Sequence, residues 1–322
     1  MISDWAHPWA LSDGRAGNLR QAAALAAALG QGGMCQLTLE PRAPWRWLAP
    51  RALPGAAGAL GRDFARLLAR PPALAIGCGR QAALATRLLG GRGTRTVQIL
   101  DPRIDGRRWD LLVLPEHDRR GGDNVITLAG SLNPVDDAWL ARARQDFRAL
   151  ADVPAPRTAL LLGGPTGHAR YDAAGLRAVC AGLARRAAEE SGSVLATVSR
   201  RTPADMARLV REALVGIPGL AWCGPADGPN PYPGLLAWAD RIVCSPDSVN
   251  MVSEACATRV PVEVFEIDRC DGRPRRFLDT LLAAGRIHAL GETPDGRPVE
   301  PLRETARVAH AVRERLGLPA GV

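Results

Sequence analysis

Short apolar runs alternate with longer alanine-rich stretches along most of this 322-residue chain. The short runs are rich in Val, Ile and Leu and predict buried strands, whereas the longer stretches predict helices. Strands that alternate with helices imply a mostly parallel sheet with helices on both faces. The alternation covers residues 8–150, stops at the segment 152–157 and restarts at Thr158. The sequence therefore predicts two doubly wound, Rossmann-like α/β domains in series.

Two prolines within residues 152–157 block continuation of a helix, and we place the domain boundary there. The first domain then covers 1–152, the second covers 157–300, and a final segment, 301–322, contains one helix. The predicted strands are 8–11, 35–40, 73–76, 95–100, 110–114, 124–128, 158–162, 193–199, 220–223 and 241–244, with another after Pro261. The predicted helices are 18–29, 58–70, 80–89, 136–150, 172–190, 203–215, 233–239 and 303–317, with another opened by Asp247 or Ser248.

The charge of the chain favours anionic partners. All 41 basic residues are arginine, and the formal net charge is +8. Such a surplus attracts nucleotides, sugar phosphates or an acidic membrane surface. Nucleic acid is not expected as a partner, because the arginines are scattered and aromatic residues make up only 4% of the chain. The dominance of alanine, glycine and arginine indicates a bacterial source.

The cysteines and the apolar stretches indicate the compartment. Seven cysteines without CxxC spacing argue against a disulfide framework or a zinc site, so we expect core thiols in a reducing compartment. The N-terminal residues 1–8 have neither the basic start nor the apolar run of a secretory signal. The uncharged stretch Gln21 to Leu39 is broken by glycines and cannot form one membrane-spanning helix. We expect a cytoplasmic protein, with peripheral attachment to the inner membrane surface as a further option.

Polar residues follow two predicted strands of the first domain. The loop Asp13-Gly14-Arg15-Ala16-Gly17-Asn18 offers glycines for a tight turn, an arginine for an anion and Asp13 as a general base, although an ordinary strand-to-helix turn is the alternative. His117 lies between Glu116 and Asp118 after another strand. Flanking carboxylates raise the basicity of a histidine, so His117 is a second candidate base, with a solvated loop histidine as the alternative.

Three loops of the second domain predict an anion site. Gly163 and Gly164 would let backbone N–H groups meet a diphosphate. Arg200 and Arg201, in Ser199-Arg200-Arg201-Thr202-Pro203, follow the next strand and would neutralise a leaving group, or would simply face water. Outside these three loops, Tyr232 stands before a predicted helix and could stack on a base. The alternative is that the neighbouring Pro231 and Pro233 only fix a turn.

The segment 238–265 carries the third loop. It reads as a buried strand, a turn of small residues, a helix and a second strand after Pro261. A strand that leads into a helix N-terminus leaves backbone N–H groups free for an anion. Glu254 follows about two turns into the helix, where its carboxylate can accept hydrogen bonds from a pair of sugar hydroxyls.

This segment resembles the donor-binding half of GT-B glycosyltransferases, especially the transferase that adds N-acetylglucosamine to the lipid-linked peptidoglycan precursor. The shared features are the Ala-Trp-Ala-Asp strand entry, the Val-Cys strand end, the polar turn, Val-Ser-Glu and the Pro-led strand. The resemblance implies two domains that face each other across a cleft, a UDP-sugar donor with its ribose on Glu254, and a C-terminal helix that braces the first domain. The turn here is one residue longer, and Arg259 stands where the family has a helix-ending glycine.

A second resemblance extends over nearly the whole chain. Five segments look like the mitochondrial-fission-factor family, whose plant member recruits a dynamin-type GTPase to mitochondria; the segments are 13–18, 115–118, 163–165, 199–203 and 247–255. Because the composition indicates a bacterium, fission activity is not carried over with the fold.

Together these observations predict a metal-independent glycosyltransferase without a cofactor, which takes a nucleotide-sugar donor and an envelope-related, lipid-linked acceptor. Asp13 and His117 are the candidate bases, and the acceptor-side residues are Gly14, Arg15, Gly17, Asn18 and Gln21. The donor-binding residues are Gly163, Gly164, Ser199, Arg200, Arg201, Tyr232, Ser245, Asp247, Ser248, Asn250, Met251, Ser253 and Glu254.

Two alternatives stay open. The first is a non-catalytic adaptor at a membrane surface, which would use an arginine-rich face. The second is an NAD-dependent nucleotide-sugar epimerase, because Gly77-Cys78-Gly79 follows a strand and Asp101 lies roughly 20 residues further on, as in a dinucleotide fingerprint. Such fingerprints normally lie on the first strand of a domain.

Overall fold

A computed structural model describes residues 7–30, 33–292 and 298–319. Residues 1–6 lie outside these ranges, so most of the N-terminal segment 1–8, which was interpreted as having no secretory signal, is not described. Gly32, in the stretch Gln21 to Leu39, also lies outside them. The strands are β1 (Trp9–Ser12), β2 (Cys35–Thr38), β3 (Leu74–Cys78), β4 (Arg95–Ile99), β5 (Leu111–Pro115), β6 (Val125–Leu128), β7 (Arg157–Leu162), β8 (Ser193–Val198), β9 (Gly219–Trp222), β10 (Arg241–Cys244), β11 (Val262–Val264) and β12 (His288–Ala289). The α-helices are α1 (Ala16–Leu29), α2 (Trp45–Leu48), α3 (Arg62–Ala69), α4 (Arg80–Gly90), α5 (Asp137–Asp146), α6 (Ala173–Glu190), α7 (Ala204–Ala213), α8 (Tyr232–Trp238), α9 (Val249–Cys256), α10 (Gly272–Ala283) and α11 (Glu304–Leu316).

The described strands form two six-stranded sheets in which every pairing is parallel. The order is β2-β1-β3-β4-β5-β6 in the first and β12-β11-β10-β7-β8-β9 in the second. Each sheet belongs to its own compact unit, residues 1–134 with 303–322 and residues 135–302. The predicted α/β class with two doubly wound sheets is therefore confirmed.

The central strands are apolar because helices cover both faces of each sheet. All five residues of β3 and of β5 are buried, as are all six of β8. Such continuous apolar runs are typical of parallel sheets, in which neither face meets water. In the first unit, α11 packs Val308 and Val312 into the cluster that contains Leu25 of α1 and Ile126 of β6.

The boundary between the units differs from the predicted one. Helix α5 was expected to close the first domain, but Leu140 and Leu150 pack with Leu235 in the core of the second unit. The guanidinium of Arg144 also donates to the carbonyl of Ala237 at 2.8 Å. The division thus falls at 134/135, before α5, rather than at the prolines of 152–157. Prolines stop a helix, but burial decides which core an element joins.

Some elements were not predicted. The four-residue α2, helix α10 and the two-residue β12 are present without a corresponding prediction. The predicted helix 136–150 ends as an α-helix at Asp146 and continues as a 3₁₀ turn over Arg148–Asp152.

A buried arginine closes helix α9. The guanidinium of Arg286 donates to the carbonyl of Cys256 at 2.8 and 3.0 Å and to that of Thr258 at 2.9 Å. A cation at a helix C-terminus satisfies carbonyls that lack helical partners and complements the helix dipole. Residue Ala257 keeps right-handed geometry at φ −77°, and Arg259 is not among the residues with positive φ. The missing glycine at position 259 therefore costs no backbone strain.

Replacing Arg286 with lysine is expected to lower the free energy of unfolding by about 2 kcal/mol, because an ammonium group cannot span carbonyls that a planar guanidinium reaches together. Denaturant unfolding monitored by circular dichroism measures this change. The matched control is Arg259→Lys near the same helix end, where an exposed ion pair with Asp137 at 3.2 Å predicts a change of about 0.5 kcal/mol or less. Equal effects of the two substitutions would show that Arg286 does not hold this end of the helix.

Five of the seven cysteines are buried, and all seven are free thiols. Among the described residues, none of the helices combines the length and the apolar character that a membrane crossing requires.

Candidate functional site

Three predicted loops of the second unit lie side by side because their strands are neighbours. Strands β10, β7 and β8 are consecutive in the sheet and run parallel. Their carboxyl ends therefore meet at one edge, where open α/β sheets bind ligands. The loops that begin at Gly163, Ser199 and Ser245 all start at this edge.

The side chain of Asp247 joins the three loops. Its Oδ2 accepts hydrogen bonds from the backbone N–H of Gly164 at 3.1 Å and from the guanidinium of Arg201 at 2.7 Å. Its Oδ1 accepts a bond from the hydroxyl of Ser245 at 2.7 Å, and Ser245 Oγ accepts one from the N–H of Gly163, also at 2.7 Å. The carboxylate is fully buried, so these bonds replace its hydration.

Tyr171 completes this network, although no local motif selects it. Its hydroxyl donates to Asp247 Oδ1 at 3.4 Å, and its ring packs edge-on against Phe265. Burial, and then the charge of Asp247, raises the pKa of Tyr171 well above its ordinary value. The phenol therefore stays protonated and acts as a donor.

The glycines of the first loop are required by close packing. A Cβ on Gly163 would lie 2.2 Å from both carboxylate oxygens of Asp247. A Cβ on Gly164 would lie 2.2 Å from the backbone carbonyl oxygen of Arg201. The pair was predicted to admit a diphosphate to the backbone. In the structure it admits Asp247 and the neighbouring loop.

The two arginines of the second loop have different surroundings. Arg201 forms an ion pair with Asp247, so its guanidinium already has an anionic partner. Arg200 is exposed, and no described residue forms an ion pair with it. Ser199 and Thr202 hold the turn: Ser199 Oγ accepts from the N–H of Arg201 at 3.1 Å, and Thr202 donates to the carbonyl of Gly163. Arg200 is thus the cation of this edge that a ligand can use.

Helix α9 begins with a side-chain cap and contains Glu254 in its last turn. Ser248 caps it by accepting from the N–H of Met251 at 3.4 Å. Asn250 and Met251 are half-buried in the first turn, and Ser253 is buried in the second. The remaining N–H groups of the first turn have no helical acceptors, which favours an anion at this point.

Glu254 is 2% exposed and faces Tyr232. The phenol hydroxyl of Tyr232 donates to Glu254 Oε2 at 2.5 Å. Tyr232 was expected to stack on a base. In the structure its hydroxyl occupies an acceptor position of the Glu254 carboxylate.

A cluster of three side chains, His168, Arg170 and Asp271, involves residues that follow the loop beginning at Gly163. His168 Nδ1 is 2.5 Å from Asp271 Oδ1, and Arg170 is 2.6 Å from Asp271 Oδ2. The hydrogen bond from His168, followed by that from Arg170, holds the pKa of Asp271 below its ordinary value. His168 therefore interacts with a carboxylate of its own unit.

In the first unit, Asp13 is tied to its own loop. Its Oδ1 accepts from Asn18 Nδ2 at 3.0 Å and from the N–H of Arg15 at 3.2 Å. Gly17 and Asn18 lie in the first turn of α1, so the loop itself is only Asp13 to Arg15. Gly14 has a φ of +77°, which favours glycine. Gln21 is buried on the inner face of the same helix.

His117 lies far from Asp13 along the sheet edge. It is half-buried in a 3₁₀ turn after β5, whereas Asp13 follows β1. Strands β1 and β5 are three positions apart in the sheet, or about 14 Å at the usual strand spacing. The two candidate bases therefore cannot both contact one hydroxyl group.

The residues of the dinucleotide-like motif are used in packing. A Cβ on Gly77 would lie 2.7 Å from Gln98 Oε1 and 2.8 Å from a methyl group of Thr86. Asp101 accepts bonds from Arg120 and from the backbone N–H of Arg103. These contacts explain the motif without a dinucleotide. Nor do three or more His, Cys, Asp or Glu side chains gather into a metal-binding group within the described ranges.

Comparison with solved structures supports the fold. The UDP-GlcNAc 2-epimerase of Neisseria meningitidis, bound to UDP-GlcNAc, has a TM-score of 0.58 at 12% identity and covers 97% of this chain and 100% of its own. MurG of Acinetobacter baumannii has a TM-score of 0.46 at 15% identity and covers 97% of this chain and 92% of its own. At 12% identity the epimerase likeness shows a common fold.

Comparison of sequences identifies the family. Mitochondrial fission protein ELM1 of Arabidopsis thaliana is 30% identical over an alignment of 276 residues, and the alignment covers 76% of this chain. The match spans 64% of the plant protein's length. The family profile described as mitochondrial fission ELM1 matches residues 16–316. The resemblance noted in the sequence is thereby confirmed, and the chain belongs to the mitochondrial fission ELM1 family.

Proposed function

We propose that the second unit binds a nucleotide-sugar, of which a UDP-sugar is the best candidate, at the carboxyl ends of β7, β8 and β10. The observation that carries this proposal is the Asp247 network, which fixes three loops at one sheet edge beside the N-terminus of α9. Rigid loops of this kind preorganise a binding site. The solved epimerase of the same fold is bound to UDP-GlcNAc, which supports this choice of ligand.

Each part of the donor would meet a different group. The diphosphate would accept hydrogen bonds from the first turn of α9 and from Arg200, the exposed cation of this edge. The ribose hydroxyls would donate to Glu254 and displace the hydroxyl of Tyr232 from it. The freed phenol ring would then be available to pack on the ligand.

The reaction that we propose is glycosyl transfer. An acceptor hydroxyl attacks the anomeric carbon, a new C–O bond forms, and the bond from that carbon to the diphosphate oxygen breaks. The nucleoside diphosphate leaves with the electron pair, and Arg200 with the dipole of α9 stabilises its charge. The hydroxyl proton passes to a base, for which Asp13 and His117 are the candidates. We propose a lipid-linked, envelope-related molecule as the acceptor.

Titration calorimetry with UDP, GDP, ADP and their sugars tests the donor site. We expect saturable binding of at least one nucleotide, with UDP and UDP-sugars the tightest. If Glu254→Ala lost that binding but kept the unfolding midpoint of the wild type, the result would support the assignment. Absence of saturable binding across the panel would refute it.

Membership of the fission family favours a second candidate, a non-catalytic adaptor at a membrane surface. The surplus of arginine suits such a surface, with a formal net charge of +8. An adaptor predicts retention on anionic liposomes that weakens as salt rises, and partner capture that is indifferent to Glu254→Ala. Protein that stays in solution with liposomes at low salt would exclude the membrane part of this candidate.

A further inference from the structure

An open cavity of about 620 Å³ lies in the first unit, whereas the residues of the proposed nucleotide site belong to the second unit. It is bordered by the loops that follow β1, β2 and β3, which are neighbours in the sheet. Neither the donor assignment nor the dinucleotide-like motif accounts for it. Its volume exceeds that of a bare phosphate and falls in the range of small-molecule sites.

Three arginines line this cavity, namely Arg15, Arg46 and Arg80. All three residues are exposed, and no described residue forms an ion pair with Arg46 or Arg80. Arg15 is paired only loosely with Asp13, at 3.5 Å. Guanidinium groups bind the oxygens of phosphate in pairs of parallel hydrogen bonds.

The backbone adds to the positive field. Arg15 is the N-cap of the 14-residue α1, and Arg80 is the first residue of the 11-residue α4. The positive ends of two helix dipoles thus border the same space. The acidic lining residues are Asp13, whose side chain is 11% exposed and hydrogen-bonded within its loop, and Glu40. Three arginines outweigh these two carboxylates.

An aromatic surface completes the lining. Trp47 is 61% exposed, and the Arg46 guanidinium stacks over its ring at 5.4 Å. Gln81 at the start of α4 donates to the carbonyl of Arg46 at 3.5 Å, which ties α2 to the rim of the cavity. An exposed tryptophan beside arginines provides both an apolar contact and anion recognition.

We propose that this cavity binds a phosphate or diphosphate ester, with the phosphoryl group on Arg15, Arg46 and Arg80 and the organic part on Trp47. The ester is either a soluble metabolite or the headgroup of a lipid, since both present the same phosphoryl chemistry. Binding here does not depend on nucleotide binding in the second unit.

Calorimetric titration of the full chain with inorganic pyrophosphate tests the cavity. We expect the double variant Arg46→Gln/Arg80→Gln to bind about tenfold more weakly than wild type, because charge-assisted contacts are lost. The matched control is Arg70→Gln/Arg92→Gln, which removes the same charge from two exposed arginines of the first unit that do not line the cavity. No saturable binding, or equal weakening in both double variants, would overturn the proposal.

Titration with UDP separates this proposal from the donor site. The variant Arg46→Gln/Arg80→Gln is expected to keep UDP affinity. Arg200→Gln removes the cation proposed to hold the donor's diphosphate, so it is expected to weaken UDP binding and to keep the cavity's pyrophosphate binding. Loss of binding to only one of the two ligands in each variant distinguishes failure of one site from failure of the other. If Arg200→Gln abolished all pyrophosphate binding, the phosphoryl site would belong to the second unit and the cavity proposal would fail.

Vesicle sedimentation identifies the source of the phosphoryl group. A lipid source predicts that phosphatidic acid vesicles retain more protein than phosphatidylserine vesicles of equal charge, with retention lost in Trp47→Ser and displaced by pyrophosphate. A soluble source predicts equal, weak retention on both vesicles and unchanged pyrophosphate binding in their presence. Strong retention that survives Arg46→Gln/Arg80→Gln would contradict a cavity-bound headgroup.

Discussion

Replacing Asp247 with alanine is expected to lower the free energy of unfolding by about 3 kcal/mol, because several buried donors lose their acceptor together. The stranded groups are the N–H of Gly164 and the hydroxyls of Ser245 and Tyr171. Arg201 is half-exposed and can turn to water, so it contributes little to the loss. Because the three loops also lose their common attachment, nucleotide binding should fall as well. Urea unfolding followed by circular dichroism measures the stability change.

The matched control is Asp271→Ala in the same unit. Asp271 also binds an arginine, at 2.6 Å, but its side chain is 45% exposed, whereas that of Asp247 is fully buried. Exposed ion pairs contribute little, so the control should cost about 1 kcal/mol or less. If Asp247→Ala cost no more than this control, the carboxylate would not be the attachment that joins the loops.

Replacing Glu254 with glutamine is expected to weaken UDP binding about 30-fold, because hydrogen bonds from ribose to a charged carboxylate are stronger than those to a neutral amide. The uracil and diphosphate contacts would remain. The variant should therefore lose its preference for UDP over 2′,3′-dideoxy-UDP, whereas wild type should keep it. Calorimetry with the two nucleotides measures both effects.

Tyr232→Phe serves as the control for Glu254. Its hydroxyl donates to Glu254 Oε2, so its removal abolishes a bond that the proposed ribose must displace. This variant is expected to bind UDP at least as tightly as wild type. Glu254→Gln would contradict the ribose assignment if it lost affinity for UDP and for dideoxy-UDP equally. Such a result would mean that the substitution disturbs folding or the loops and removes no ribose contact.

The alternation of strands and helices was sufficient to predict the fold class, and the periodicity located most elements within a few residues. It could not assign α5, because the prolines of 152–157 suggested a boundary whereas Leu140 and Leu150 pack beside Leu235. Such long-range packing leaves no local sequence signal. The residues after α9, with Arg259 in place of a glycine, looked unusual for the same reason, since Arg286 completes the helix from 30 residues after Cys256.

The site was predicted in part. The sequence selected Gly163, Arg201, Ser245 and Asp247 as separate loop residues, and strand order brings them into one hydrogen-bonded network. It assigned these residues to a ligand, whereas most of their bonds are to one another. Tyr171 was not predicted, because a tyrosine 76 positions before Asp247 has no local signature.

In the first unit the sequence selected Arg15 but not Arg46 or Trp47. Those two residues lie on α2, a helix of only four residues that no periodicity reveals. Arg80 directly follows the dinucleotide-like motif and was not selected either. The order β2-β1-β3 brings the three segments to one edge, and neither that order nor the cavity can be derived from loop composition.

A crystal structure of the protein soaked with UDP decides whether the second unit holds a nucleotide site. The account predicts the diphosphate at the first turn of α9 beside Arg200, the ribose hydroxyls on Glu254, and the hydroxyl of Tyr232 displaced from that carboxylate. UDP bound elsewhere, or an unchanged Tyr232–Glu254 contact at a UDP concentration that saturates the protein in solution, would contradict it.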